Sequence, residues 1–309
     1  MLQKIAFMGT PNFAVPILKN IYQNGYEIAA VYTQPPRKSN RGQKLEKSPI
    51  HLLSETLTLN TRTPEQLKNN KSEYEYFKNL DLDIVIIVAY GIIIPKEFLT
   101  LSKEGFINLH ASILPQWRGA APIQRSIMSQ DKETGISVMK INEKLDEGDI
   151  SHIFKIDIEE NENAQSLSDR LSILASEKIS EIIDSILDKE INFRPQDHSK
   201  ATYAKKIKKT EGLINWNDNA ENIIGKINGL FPYPAGYFVH KGERYKILKA
   251  EKSFSKEKPG KVLSNELEIS CGENSIKILE IQREGKKPQK INEFMLGSQI
   301  TKGNNLIDV

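Results

Sequence analysis

In the first part of the chain, the pattern of apolar and polar positions predicts strands that alternate with helices. Residues 3–8 are a short apolar run ending at a Gly-Thr-Pro turn, and an amphipathic stretch covers residues 12–22. That order predicts a strand, a tight turn and a helix. Residues 82–88 are apolar on both faces, which is typical of a central parallel strand. Further predicted strands lie at 28–33 and 105–110, so we expect an α/β domain with a mostly parallel sheet.

The pattern changes in the last third of the chain. Helical periodicity ends near residue 187, and short alternating runs separated by turn residues follow, at 236–240, 245–250, 260–263, 267–270 and 276–281. Such runs predict a small β-barrel. We therefore predict a catalytic domain over residues 1–190, a linker over 191–205 and a C-terminal domain over 206–309.

Composition narrows the class of protein. The 309 residues are 39% hydrophobic and 27% charged, which suits a globular protein with a sizeable core. We find no apolar stretch long enough to cross a membrane, and the first apolar run is too short for a secretory signal. Cys271 is the one cysteine, and the five histidines lack the close spacing of metal ligands. We expect a cytoplasmic protein without a metal.

Charge is unevenly divided along the chain. Residues 200–309 hold 20 basic and 13 acidic side chains, whereas the remainder holds 23 basic and 27 acidic ones. A basic region also follows the second predicted strand, over residues 33–47. Both features suit contact with the phosphate backbone of a nucleic acid. The alternative is a solvated, lysine-rich surface and a flexible loop without a partner.

Two polar residues end the strand at 105–110. Asn108 and His110 are two positions apart, so they share one face at the edge of the sheet where α/β proteins bind ligands. A carboxamide donor beside an imidazole suits a reaction in which an oxygen gains negative charge. The structural alternative is an asparagine that bonds loop amides and a histidine that bonds a nearby carbonyl.

Two further segments carry candidate chemistry. Residues 145–150 contain three carboxylates around a glycine, and one of them could orient His110; the alternative is a solvated acidic turn. In residues 116–125, small residues near a helix start permit close approach of a ligand, and Trp117 and Arg118 could line a pocket or belong to the core. The glycine-rich motifs that hold nucleotide phosphates are missing.

Taken together, these residues closely resemble the methionyl-tRNA formyltransferase family. The resemblance covers essentially the whole chain. It is carried by six segments: Phe7–Ala14, Val88–Pro95, Asn108–Gln124, Leu145–Asp149, Tyr203–Trp216 and Phe231–Gly236. It implies a Rossmann-like formyltransferase domain joined to an OB-like β-barrel. It also implies 10-formyltetrahydrofolate as the formyl donor and methionyl initiator tRNA as the acceptor. Separately, we expect the protein to act as a monomer.

The resemblance also implies roles for individual residues. Asn108, His110 and Asp146 would be the catalytic trio. The folate would contact the loop formed by Ser112, Ile113, Leu114 and Pro115. Arg41 would reach the acceptor end of the tRNA. Beyond the resemblance, we expect Lys38 and Lys44 of the same basic loop to contact the tRNA as well.

The sequence departs from the family pattern at two positions in these motifs. Ala111 stands where glycine is frequent, and Glu147 stands where threonine is usual, which adds a charge beside Asp146. Related domains formylate an amino sugar nucleotide or a purine precursor, or hydrolyse formyl-folate, and the trio alone does not separate them. A rival of another class is a non-enzymatic RNA-binding protein that retains an inactive formyltransferase domain.

Overall fold

The computed structural model describes residues 3–39 and 44–307, and they form two compact units. The first unit comprises residues 1–119, 135–156 and 168–203, and the second comprises 120–134, 157–167 and 204–309. The elements up to residue 187 are β1 (Lys4–Gly9), α1 (Val15–Gln23), β2 (Glu27–Tyr32), β3 (Arg37–Ser39), β4 (Lys44–Glu46), α2 (Pro49–Thr56), β5 (Thr61–Arg62), α3 (Lys71–Lys78), β6 (Ile84–Val88), β7 (Phe106–His110), β8 (Arg118–Gly119), α4 (Pro122–Met128), β9 (Glu133–Lys140), β10 (Ile150–Asp157) and α5 (Ala164–Leu187).

A seven-stranded sheet forms the centre of the first unit. Its strand order is β10-β9-β7-β6-β1-β2-β5. The pairs β1–β2, β1–β6, β2–β5 and β6–β7 are parallel, whereas β7 and β9 are antiparallel. The prediction of a mostly parallel sheet is confirmed.

Hydrophobic burial on both faces fixes the middle of this sheet. All five residues of β6 are buried, as the unbroken apolar run predicted. On one side, α5 is tied to the first helical segment, because Ser172 Oγ donates to the Phe13 carbonyl and Ser176 Oγ donates to the Pro16 carbonyl. The buried sheet therefore positions the loops at its carboxyl edge.

The second unit contains a separate antiparallel sheet. The elements that follow α5 along the chain are β11 (Tyr203–Ala204), which pairs with β8, and then α6 (Ala220–Gly229), β12 (Gly236–His240), β13 (Glu243–Ser253), β14 (Glu268–Ser270), β15 (Ser275–Arg283), β16 (Gln289–Lys290) and α7 (Ile291–Met295). Strands β12, β13, β15 and β14 are neighbours in that order, and β16 pairs with β15. The aromatic rings of Trp216, Phe238 and Tyr245 pack in its core.

The C-terminal prediction is confirmed as a separate, sheet-rich region. The run predicted as a strand at 260–263 forms only isolated bridges at Lys261 and Val262. The domain boundaries at 190 and 206 stay a prediction. Among the helices of the described residues, none combines the length and the apolar character that crossing a membrane requires.

Candidate active site

The carboxyl end of β7 brings Asn108 and His110 onto one face. Asn108 lies opposite Ile87 of β6, and His110 lies opposite Ser137 of β9. The two side chains are only 9% and 6% exposed. Side chains two positions apart on a strand point the same way. The pair predicted from the sequence is therefore placed together in a nearly buried position at the edge of the sheet.

His110 has a separate neighbour for each ring nitrogen. Its Nε2 lies 2.9 Å from the Trp117 carbonyl oxygen, and its Nδ1 lies 3.7 Å from Asp146 Oδ2. A carbonyl oxygen only accepts, so Nε2 carries a proton and donates it. The Nδ1 distance is longer than a hydrogen bond. The bond to Trp117 fixes the ring plane, and Nδ1 is the nitrogen that faces the carboxylate.

Asp146 is held by a backbone amide. The Gly119 N–H donates to Asp146 Oδ2 over 2.8 Å. The Asp146 backbone has φ +52°, in the left-handed region that aspartate and asparagine tolerate better than most residues. The carboxylate is thus directed toward His110 by a turn that few other residue types would form without strain.

The Asn108 carboxamide remains available for a ligand. Across residues 3–39 and 44–307 its side chain has no hydrogen-bond partner. Its polar atoms are not among the fully buried side-chain atoms that lack a partner, so the amide can donate to an acceptor that enters the site. The site therefore offers a neutral N–H donor beside the imidazole and the carboxylate.

The loop predicted to contact the folate is divided between buried and accessible side chains. Ser112 Oγ donates to the Gln116 carbonyl, and the Leu114 N–H donates to Ser137 Oγ. Ser112 and Leu114 are buried, whereas Ile113 and Pro115 are partly exposed. Only the last two present side chains that a ligand could contact.

Trp117 acts through its backbone carbonyl, whereas the Arg118 side chain is buried. The Trp117 backbone has φ +59°, and its carbonyl holds His110. Arg118 is 1% exposed and bonds to Gln196, so it does not line an open pocket. Gln196 lies in the segment that the sequence pattern marked as a linker, and its neighbours there are mainly polar. No periodic signal could have identified it.

The basic loop is described only in part. Lys38 is exposed on β3, and Lys44 begins β4, which pairs with β3 as a hairpin. Arg41 lies outside the described residues.

In the second unit, Ala120, Ala121 and Gln124 line an open cavity of about 190 Å³ together with Lys206 and Tyr233.

The donor set does not suit a metal. Among the described residues, no group of three or more His, Cys, Asp or Glu side chains is placed to hold a metal ion. What the site combines is one amide donor, one imidazole and one carboxylate. Such a set can stabilise a developing oxyanion and move a proton.

Comparison with known proteins agrees with this chemistry. Residues 3–183 match the family described as Formyl transferase, and residues 206–299 match Formyl transferase, C-terminal domain. A methionyl-tRNA formyltransferase of Pelagibacter ubique (strain HTCC1062) is 62% identical over the full length of both chains. One of Caldanaerobacter subterraneus subsp. tengcongensis is 42% identical and covers 98% of this chain and 99% of its own.

Solved structures share the fold. Methionyl-tRNA formyltransferase from Clostridium thermocellum superimposes with a TM-score of 0.56 at 20% identity, covering 82% of this chain and 96% of that one. HypX from Aquifex aeolicus in complex with tetrahydrofolic acid gives a TM-score of 0.66 at 13% identity, covering 98% of this chain and 48% of that one. The full-length identity and both domain matches agree with the residues gathered at the end of β7, and the chain belongs to the methionyl-tRNA formyltransferases of the formyl transferase family.

Proposed function

We propose that Asn108, His110 and Asp146 carry out transfer of the formyl group of 10-formyltetrahydrofolate to the amino group of methionyl initiator tRNA. The family to which the chain belongs transfers a formyl group from this donor to methionyl-tRNA. One observation carries the assignment of residues: a carboxamide that bonds to no other described residue and an imidazole that faces a carboxylate share one nearly buried face.

The reaction places negative charge on one oxygen. The neutral α-amine of the methionyl ester attacks the formyl carbon on N10 of the folate, and the formyl oxygen becomes an oxyanion in the tetrahedral intermediate. Asn108 donates a hydrogen bond to that oxygen. Because Nε2 of His110 is bonded to the Trp117 carbonyl, the second donor is a proton on Nδ1. Each such donor typically lowers the barrier by ~3–4 kcal/mol.

Asp146 has two roles: it stabilises the imidazole of His110, and it accepts a proton from the attacking amine. Its carboxylate lies on the Nδ1 side of His110, so it stabilises a proton at that atom. It then accepts the proton that the attacking amine loses, directly or through a water molecule. Asp146 passes that proton to N10 as the bond between N10 and the formyl carbon breaks, so the folate leaves protonated and the trio returns to its starting state.

The substrates contact different parts of the chain. Ile113 and Pro115 would contact the folate through their accessible surfaces, while Ser112 and Leu114 shape the loop from within. Lys38, Lys44 and Arg41 would contact phosphates of the tRNA, which binds mainly through its backbone charge. We also propose that the protein acts in the cytoplasm as a monomer.

An acceptor comparison tests the reaction. Formyl transfer from 10-formyltetrahydrofolate is measured with charged initiator tRNA, free methionine and an amino sugar nucleotide. We expect formylation of the tRNA alone. Deformylated folate without formylated tRNA would refute the acceptor and point to a hydrolase or a small-amine transferase.

Single substitutions test the residue roles. Asn108→Ala and His110→Ala should each lower kcat about 100-fold or more, because each removes one donor to the oxyanion. Asp146→Asn is a close match in shape, since asparagine tolerates the left-handed backbone and can still accept from Gly119. It should lower kcat and leave the melting temperature nearly unchanged. Turnover near that of the wild type in any of the three would refute that residue's role.

A further inference from the structure

A buried guanidinium lies directly behind the proposed catalytic groups. Arg118 Nε and Nη2 donate to Gln196 Oε1 over 3.0 and 2.7 Å. Nη2 also lies 3.1 Å from His198 Nδ1, and Nη1 lies 3.4 Å from Glu147 Oε1. A buried positive charge is costly unless it is paired and hydrogen-bonded, and here a carboxylate and two further acceptors surround it. The side chain is therefore fixed in one position.

Gln196 links the fixed Arg118 side chain to the turn that carries Asp146. Its amide Nε2 donates to the carbonyl oxygens of Asp146 and Gly148, over 2.9 and 2.7 Å. Gln196 is 6% exposed, and both N–H groups and the amide oxygen are used. One side chain therefore clamps the backbone on both sides of residue 147.

The backbone on either side of Arg118 holds the other catalytic groups. The Trp117 carbonyl accepts from His110 Nε2, and the Gly119 N–H donates to Asp146 Oδ2. Trp117 and Asp146 both have a positive φ, which a non-glycine residue keeps only where the surroundings impose it. The contacts of Arg118 and Gln196 join the two segments that bear these residues.

We propose that Gln196 and Arg118 are positioning residues that set the distance and angle between Asp146 and His110. The inference rests on the proposed roles of those two groups. Gln196 touches neither reacting atom, and it acts through the carbonyls of Asp146 and Gly148. The Glu147 carboxylate provides the negative charge that pairs with the Arg118 guanidinium, and it also lies near Lys144 and His198.

A double-mutant comparison tests the coupling. Gln196→Met keeps the length and apolar stem of the side chain but removes all four of its hydrogen bonds, two accepted from Arg118 and two donated to backbone carbonyls. In the wild-type background, kcat should fall at least 10-fold while KM for 10-formyltetrahydrofolate changes less than twofold. In the Asp146→Asn background, the same substitution should cause almost no further loss. Equal fold losses in both backgrounds, or an unchanged kcat, would overturn the proposal.

A control separates positioning from general stability. Tyr32→Phe removes a buried hydrogen bond of 2.7 Å to Glu73 in the same unit. It should lower the melting temperature without lowering kcat. If Gln196→Met fails to fold, Gln196→Glu replaces it, because the carboxylate still accepts from Arg118 but cannot donate to the two carbonyls. Retained kcat in Gln196→Glu would refute the proposal.

A spectroscopic readout does not depend on the catalytic assignment. The protein has five histidines, so the imidazole ¹⁵N signals of His110 can be assigned by their loss in His110→Ala. Gln196→Met should shift those signals, and Tyr32→Phe should not. Unshifted signals would refute the positioning role. If Asp146→Asn retained full activity while the signals still shifted, the proposed function would fail and the positioning role would stand.

Discussion

Gly148 offers a direct test of how tightly the Asp146 turn must be placed. A Cβ at this position would lie 1.8 Å from the Lys140 carbonyl oxygen and 2.9 Å from its carbon. Both atoms belong to the backbone of β9, which cannot rotate away as a side chain would. Real Cβ contacts are essentially never shorter than 3.0 Å, so Gly148→Ala forces the turn and the strand apart by roughly 1 Å or more.

The expected loss follows from that displacement. A misplacement of about 1 Å can cost ~100-fold in rate, because the reacting groups leave their productive geometry. The displacement also strains the 2.9 Å bond from the Lys140 N–H to the Asp149 carbonyl and the 2.7 Å bond from Gln196 to Gly148. We expect kcat for formylation of methionyl-tRNA to fall about 100-fold, with a stability loss of ~1–3 kcal/mol from overpacking.

A matched variant separates the loss of kcat from the loss of stability. A Cβ at Gly272, in the second unit, would lie 2.0 Å from the Asn217 carbonyl oxygen. Gly272→Ala should therefore destabilise the protein to a similar degree, measured by urea unfolding, and keep kcat per folded molecule. If Gly148→Ala kept kcat within threefold of the wild type, the argument that the turn must be placed to within an ångström would be wrong.

Three further predictions concern charge and titration. Lys38→Ala should raise KM for the tRNA. It should also make KM less dependent on salt concentration, by the amount that one phosphate contact contributes to the slope of log KM against log salt. Lys19→Ala, an equal charge change on α1, should change neither KM nor this slope. Burial raises the pKa of the Cys271 thiol to about 12, so a disulfide reagent at pH 8 should modify it only after unfolding in urea. Burial acts to raise the pKa of Glu73, but hydrogen bonds from Arg62 and Tyr32 outweigh it and hold the pKa below its usual range. That stabilisation is present above the carboxyl's unfolded pKa and is lost as pH falls through the folded one, so Glu73→Gln should make the free energy of unfolding less dependent on pH below ~5.

The pattern of apolar positions was enough to predict the framework. The run at 82–88 became β6, and the run at 105–110 became β7, each within two residues of the predicted limits. These strands are buried on both faces, so each reads in the sequence as a nearly continuous apolar run. The strand of two residues, β5, went unpredicted because so short a pairing depends on its neighbour β2 and not on local pattern.

The candidate site was predictable only where chemistry coincides with a strand end. Asn108 and His110 are two residues apart, so alternation alone places them on one face. Asp146 came from the family resemblance, and the structure adds its distance to His110 and its bond to Gly119. Gln196 was out of reach, because it lies 50 residues from Asp146 and bonds to backbone carbonyls, which leave no mark in a sequence.

The sequence by itself determined the central strands, the change to short strands after residue 190, and the carboxamide and imidazole at the end of β7. Those features follow from side-chain periodicity and residue type, which are local. Tertiary structure alone decided that the Trp117 carbonyl holds His110, that Arg118 is buried and not pocket-lining, and that Gln196 joins both segments. Each of these depends on bringing together segments distant in the chain, and on a buried charge that must find its partners once water is excluded.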